Sequence, residues 1–167
     1  SVTEPDDDIT RDPENLLGWL TAAAASREQI TTTYYDLPAE ELEEGTERLL
    51  YQANLRNRVS YTRLKDAIGD DPTSTTYYSY DIHGNVDTLL QSYGKGVLNE
   101  VSGHMTKRIE YNYDLISGKV NEVAYQPGMT DQFYHRYVYD AENRLTQVYT
   151  SADRQHWEKQ AGYSYYR

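Results

Sequence analysis

The chain has 167 residues, 16 Lys and Arg against 27 Asp and Glu, a formal net charge of −11, no cysteine, and 18 tyrosines beside one Phe and two Trp. Phosphate binding wants clustered Lys and Arg, so the balance argues against nucleic acid and against an anionic membrane surface. The lack of Cys removes disulfides and thiolate chemistry without fixing a compartment, no apolar run is long enough to span a membrane, and Ser1 opens no secretory signal, which a segment from inside a larger protein would lack anyway.

Residues 1–26 read as an acidic arm or loop with a short helix. SVTEPDDDITRDPEN (1–15) is acidic and turn-rich, and LLGWLTAAAASRE (16–28) has helix-forming Ala and Leu interrupted by Gly18. REQITTTYYD (27–36) switches to β-branched and aromatic residues, which predicts a strand. LPAEELEEGTERLLYQANL (37–55) predicts a short helix, with Pro38 near its first turn, acidic residues at its N-terminal end and Gly45 to weaken or end it. VSYTRL is strand-like again, KDAIGDDPTS (65–74) reads as a loop from its Gly, Asp and Pro content, and QSYGKGVLNEVSGH (91–104) is an insertion in which Gly94-Lys95-Gly96 reads as a hairpin turn.

From about residue 75 onward the sequence repeats. Four Tyr-Asp dipeptides occur where 18 Tyr and 14 Asp in 167 positions give roughly 1.5 by chance. Three of them open one frame, YSYDIHGNV (78–86), YNYDLISGKV (111–120) and YVYDAENRL (137–145). Each unit has a Tyr pair (Tyr78 and Tyr80, Tyr111 and Tyr113, Tyr137 and Tyr139), then Asp81, Asp114 or Asp140, then a turn-former, Gly84, Gly118 or Asn143. Aliphatics follow at the second and fifth positions past the turn-former: Val86 and Leu89, Val120 and Val123, Leu145 and Val148. The step from Tyr113 to Tyr139 is 26 residues, and a further 26 reach Tyr165 in YSYYR, a truncated last unit with Tyr166 in the Asp position.

Each unit predicts a β-hairpin. Tyr at alternate positions puts two phenols on one face of a strand, Asp accepts backbone N–H bonds within the turn, and Gly or Asn tolerates positive φ. The two aliphatics, three apart, face opposite sides of the return strand unless a bulge intervenes. With so much of the apolar stock in Tyr, whose hydroxyl needs a partner when buried, the expectation is of stacked Tyr ladders with Asp or backbone groups accepting from some hydroxyls. Residues 27–167 therefore read as one mainly β module of repeated antiparallel hairpins, with minor helix near the N-terminal side and no domain boundary.

This frame resembles the YD-repeat, or RHS-repeat, family, whose unit is approximately Tyr-Asp-x-x-Gly-Arg-Leu with a preceding Tyr. YDAENRLTQV is close to it with Asn143 in place of Gly; YDIHGNVDTLL keeps Gly84 but has Asn85 for the Arg; the 111–120 unit is longer by one residue. LRNRVSYTRL (55–64) and REQITTTYYD look similar to extended segments between repeats in large bacterial members, and nothing in 1–26 matches. The resemblance implies part of a coiled spiral sheet that closes as a hollow shell, as in teneurins, toxin-complex shell subunits and bacterial polymorphic toxins. It implies a non-catalytic shell or cell-surface scaffold segment of a large secreted protein, in the toxins enclosing a C-terminal effector. Its partners would then be the rest of its own polypeptide, such an effector, and a secretion translocon, by resemblance that of type 9 secretion.

The residues suggest no catalytic group, metal site or cofactor. His83, His104, His135 and His156 lack metal-ligand spacing, Asp6, Asp7 and Asp8 lack the alternating oxygens of a calcium loop, and Gly94-Lys95-Gly96 lacks the rest of a phosphate loop. Glu100, or Glu110 with Glu122, could be named as glycosidase-like acids, but nothing in the sequence sets them apart. The rival of another class is a carbohydrate- or surface-binding β module using exposed Tyr, Trp19 and Trp157. Ring burial separates the two readings: rings packed between hairpins fit a shell, and accessible rings spaced along one face fit sugar stacking.

Overall fold

A computed structural model describes residue 18 and residues 28–43, 50–67, 69–94 and 105–166. The arm of residues 1–15, most of the 16–28 helix, His104, Glu100, Trp19 and the Lys95-Gly96 part of the proposed turn lie outside the described residues; Gly18 is helical. The protein is mainly β. Nine strands, β1 (Glu28–Tyr35), β2 (Val59–Ala67), β3 (Ser74–Tyr80), β4 (Val86–Tyr93), β5 (Thr106–Tyr113), β6 (Val120–Tyr125), β7 (Phe133–Tyr139), β8 (Leu145–Ser151) and β9 (Glu158–Gly162), form one sheet in chain order, every pair antiparallel.

β1, β3, β5 and β7 end at the four Tyr-Asp dipeptides, and β2, β4, β6 and β8 are their returns. β1 falls within the 27–36 segment expected as a strand. Residues 65–74, expected as a loop, are partly strand: β2 continues through Lys65 to Ala67, with Lys65 opposite Ile30 and Ala67 opposite Glu28. Polar composition does not end a strand whose backbone is paired and whose alternate side chains reach solvent. Of the 37–55 segment expected to hold a short helix, the described residues show a single 3₁₀ turn, Glu40–Glu43, and residues 44–49 lie outside the described residues.

A bulge decides how the repeat presents its apolar residues. In β3 and β4, Tyr78 faces Leu89 and Tyr80 faces Val86, with a register shift between Ser79 and Tyr80. The same shift recurs where Tyr113 faces Val120 and Tyr139 faces Leu145. Each leaves one extra residue in the return strand, Asp87, Asn121 or Thr146, which reverses the alternation across it. The two aliphatics, though three apart, therefore share the face of the Tyr pair. Without the bulge one of every two would sit on the opposite side.

The stacking is mostly along strands. Tyr78 and Tyr80 have ring centroids 6.5 Å apart and Tyr111 and Tyr113 6.3 Å apart, while in β7 Tyr137 stacks on His135 at 6.4 Å. A ladder across strands forms on the other face, where Tyr34, Tyr61 and Tyr77 follow one another at 4.3 and 5.8 Å. There the segment between β1 and β2 covers the sheet: Ala39, Leu42 and Leu50 pack with Tyr77 and Leu90 into the core cluster, with Tyr61 beside it.

Gln52 fastens that segment. Its amide nitrogen donates to the Ser60 carbonyl at 2.8 Å, the Ser60 hydroxyl at 3.2 Å and the Tyr78 carbonyl at 2.9 Å, while its oxygen accepts from the Ala39 N–H at 2.8 Å. Asn54 adds a bond from its side chain to the Tyr80 carbonyl. Gln52 is 8 % exposed, so truncating it strands several buried polar groups. Gln52→Ala should destabilise the protein by about 1–3 kcal/mol in urea unfolding, the range for orphaned buried hydrogen-bonding groups, whereas a loss below roughly 0.5 kcal/mol, the scale of an ordinary surface substitution, would mean the segment is not held this way.

Candidate functional site

The sequence-selected residues converge on one structure repeated along the sheet, a turn closed by Asp and a seam closed by Tyr. In the first unit the Asp81 Oδ1 accepts from the N–H groups of His83 and Asn85, both at 2.9 Å, and Oδ2 accepts from the Asn85 amide at 2.9 Å. Asp140 repeats this with Glu142 and Arg144, and its Oδ2 takes the Arg144 guanidinium at 2.8 Å. Asp114, in the longer turn, accepts from the N–H groups of Ile116 and Ser117 and from the Ser117 hydroxyl. Gly84, Gly118 and Asn143 stand at φ of 95°, 68° and 61°, the left-handed conformation that lets the return strand leave the turn. A Cβ at Gly84 would in addition lie 2.5 Å from the Arg58 guanidinium, which would have to swing aside.

The second Tyr of each pair joins its hairpin to the one before. The hydroxyls of Tyr80, Tyr113, Tyr139 and Tyr165 donate to the carbonyls of Val59, Val86, Val120 and Leu145 at 2.8, 2.9, 2.9 and 2.7 Å. Every acceptor is the first residue of the preceding return strand. The residue before that acceptor contributes in two units: the Arg58 guanidinium lies 5.5 Å from the Tyr80 ring centroid and that of Arg144 4.8 Å from Tyr165, both within cation–π range. Burial, with the neighbouring phenol of the pair, holds the pKa of Tyr80, Tyr113 and Tyr139 above the ordinary phenol value, so these hydroxyls stay protonated donors.

The seam also reveals a unit that the sequence frame missed. Tyr35 faces Val59 across the same bulge, with Ser60 as the extra residue, and the Asp36 N–H donates to the Arg58 carbonyl as Asp81 does to Asn85 and Asp140 to Arg144. Asn57, at φ 58°, holds the place of Gly84 and donates its N–H to the Asp36 carboxylate. Tyr35-Asp36 and Asn57-Arg58-Val59 are thus two halves of one unit, parted by residues 37–56. The signal was present: Asn57-Arg58-Val59 matches Asn143-Arg144-Leu145, and the fourth Tyr-Asp dipeptide stands at 35–36.

The other residues considered for chemistry are engaged locally. Glu122 pairs with Arg136 at 3.3 Å and Arg154 at 2.9 Å, and Glu110 with Arg108 at 2.8 Å. Trp157 lies under the Arg136 guanidinium, 3.8 Å from ring centroid to carbon, and its indole N–H donates to the Arg154 carbonyl. His135 sits between Phe133 and Tyr137, His83 lies in the first turn, and His156 pairs with Asp153 at 2.6 Å. Among the described residues no group of three His, Cys, Asp or Glu could hold a metal ion, and no helix is long and apolar enough to cross a membrane.

Compared with known protein families and with characterised proteins, the chain matches none.

Removing one seam hydroxyl isolates its contribution. Tyr113→Phe should cost about 1 kcal/mol in equilibrium unfolding, the net worth of one such bond, while Phe at the fully exposed Tyr166 leaves stability unchanged. Equal effects at both positions would exclude the seam bond as a source of stability.

The turn carboxylates predict an acid limb. Asp114 and Asp140 have lowered pKa values because backbone N–H groups, of Ser117 and Arg144 first, bond the charged form; at Asp81 the bonds from Asn85, His83 and Gly84 outweigh desolvation and lower it too. A depressed folded pKa adds stability that is complete above the unfolded value of about 3.9 and lost as pH falls through the folded one. The melting midpoint should therefore drop below about pH 4, and more shallowly in a variant carrying Asn at positions 81, 114 and 140. An unchanged acid slope in that variant would place the effect in other carboxylates.

Proposed function

We propose that this chain is a non-catalytic scaffold segment of a large secreted or cell-surface protein of the RHS-repeat type, in which hairpins added one after another extend a coiled sheet into a wall or shell. The observation that carries the reading is the seam. In four successive units the repeated Tyr gives its hydroxyl to the backbone of the preceding hairpin, and in three units described complete the repeated Asp closes its own turn. The most regular residues of the sequence are thus engaged in adding hairpin to hairpin, as a nearest-neighbour repeat architecture requires. In toxin members of the family such a wall encloses a C-terminal effector; a corresponding cargo here, and export by a type 9 translocon, belong to the same proposal.

Ring burial favours the scaffold over the carbohydrate-binding reading. Tyr77, Tyr80 and Tyr134 are buried, and Tyr78, Tyr111, Tyr113, Tyr137 and Tyr139 are half-buried against their neighbours. The strongly exposed rings, at Tyr35, Tyr51, Tyr163, Tyr165 and Tyr166, gather toward the two ends of the sheet instead of lining a continuous platform. The deciding experiment is a denaturing immunoblot of source cells, fractionated and treated with external protease before lysis. The expected result is a protease-sensitive band at the surface or in the medium, far above 19.4 kDa. A protected intracellular band near that mass would overturn the proposal.

A further inference from the structure

The turns that follow the four Tyr-Asp dipeptides lie side by side on one rim of the sheet, since the strands run antiparallel in chain order. Neighbouring turns are two strands, or roughly 10 Å, apart. In every unit the residue after the Asp is apolar: Leu37, Ile82, Leu115 and Ala141. Leu37, Ile82 and Leu115 are 74, 84 and 81 % exposed, and Ile116 beside Leu115 is 97 % exposed. These are the four most exposed aliphatic side chains among the described residues, and all stand on this rim. The hairpin does not need them. The Asp carboxylate closes its turn on the backbone N–H groups of His83, Ile116 and Glu142, so a polar side chain after the Asp would serve the turn as well. A row of exposed aliphatics without a role in its own fold marks a contact surface.

We propose that this rim docks against the same rim of a second copy of the chain, about a two-fold axis normal to the sheet that passes between the 81–85 and 114–119 turns. The rim is complementary to itself in that arrangement, as a two-fold interface requires. Ile82 of each copy meets Leu115 and Ile116 of the other at the centre. At each end the 140–144 turn of one copy lies opposite the mouth closed by Asp36 and Arg58 in its partner. Those ends carry opposite charge: Arg56, at the tip of the Leu55–Arg58 turn, and Arg58 exceed Asp36 by one positive charge, while Asp140 and Glu142 exceed Arg144 by one negative. A two-fold axis along the rim would instead set Glu142 against Glu142 and Arg56 against Arg56, so charge selects the axis normal to the sheet. Because sheets twist, the two central turns make the closest contact and the end charges orient it. That axis also leaves both Tyr-pair faces on the same side, so the pair forms a wall two sheets tall.

The proposal adds a second direction of growth to the scaffold reading, and the two fail separately, because cellular location and parent mass do not bear on self-association of the purified chain. Four turns span a rim roughly 30 Å long, which gives a contact at the small end of specific interfaces and a weak, reversible dimer. Sedimentation equilibrium of the purified chain over a range of concentrations should therefore show monomer and dimer in exchange. Ile82→Glu with Ile116→Glu should weaken the dimer at least about tenfold and leave the melting midpoint of the dilute monomer unchanged. Met129→Glu, 52 % exposed on the opposite rim, should leave association as it was. Glu142→Arg and Arg56→Glu should each weaken the dimer, and the double variant, or an equal mixture of the two single variants, should recover it. A chain that stays monomeric up to about 1 mM, the weak limit of specific association, overturns the proposal. So does a dimer indifferent to the rim substitutions, or one that the paired charge reversal fails to restore. Protection of Ile82 and Ile116 by another segment of a longer parent polypeptide, with no dimer of the chain alone, would likewise overturn it.

Discussion

The one-residue bulge opposite the second tyrosine is the constraint on which the rest of this sheet depends. A return strand in strict alternation would turn one of its two aliphatics away from the Tyr pair, and neither face would carry a continuous apolar surface. The extra residue, Ser60, Asp87, Asn121 or Thr146, resets the alternation and brings Val86 and Leu89, and their counterparts, onto the phenol side. It also falls where the strand leaves the turn, next to the carbonyl that the following Tyr hydroxyl seeks. Turn, bulge and seam therefore form one device of about ten residues.

That device explains why the unit tolerates so much variation between its fixed points. The turn of the second unit is one residue longer, and Asp114 compensates by capturing the Ser117 hydroxyl and N–H. The earliest unit carries twenty residues in place of a turn, yet Asp36, Asn57 and Arg58 still close its mouth in the same way. What fills the gap then gains a task of its own: Ala39, Leu42 and Leu50 cover Tyr77 and Leu90 on the face away from the repeated Tyr pairs, and Gln52 supplies the buried hydrogen bonds that hold the cover down. A loop inserted in a hairpin turn thus becomes a lid over the first strands of the sheet.

Beyond that lid the same face changes character. Across β5 to β8 it carries Arg108 with Glu110, Glu122 shared between Arg136 and Arg154, and Trp157 beneath Arg136. These pairs account for Glu110 and Glu122, two of the acid residues that the sequence alone left as candidates for hydrolysis: both carboxylates are engaged by guanidinium groups.

Much of the architecture was legible in the sequence because local chemistry fixes it. The spacing of Tyr78 and Tyr80, the turn chemistry of Asp81 and Gly84, and their recurrence at 111–118 and 137–143 determined hairpins, their direction and the residues closing them, since alternation and positive φ are decided within a few residues. The sequence left open whether Val86 and Leu89 share a face, placed Lys65–Ala67 in a loop, and kept Tyr35-Asp36 apart from Asn57-Arg58-Val59. Only the tertiary structure decided these, because each depends on a partner remote in the chain: the opposing strand that admits a bulge, the β1 backbone that pairs β2 to its end, and the lid that lets twenty residues stand where two or three serve in the other units. The destination of each Tyr hydroxyl, a carbonyl 19 to 27 residues earlier, likewise has no local signature.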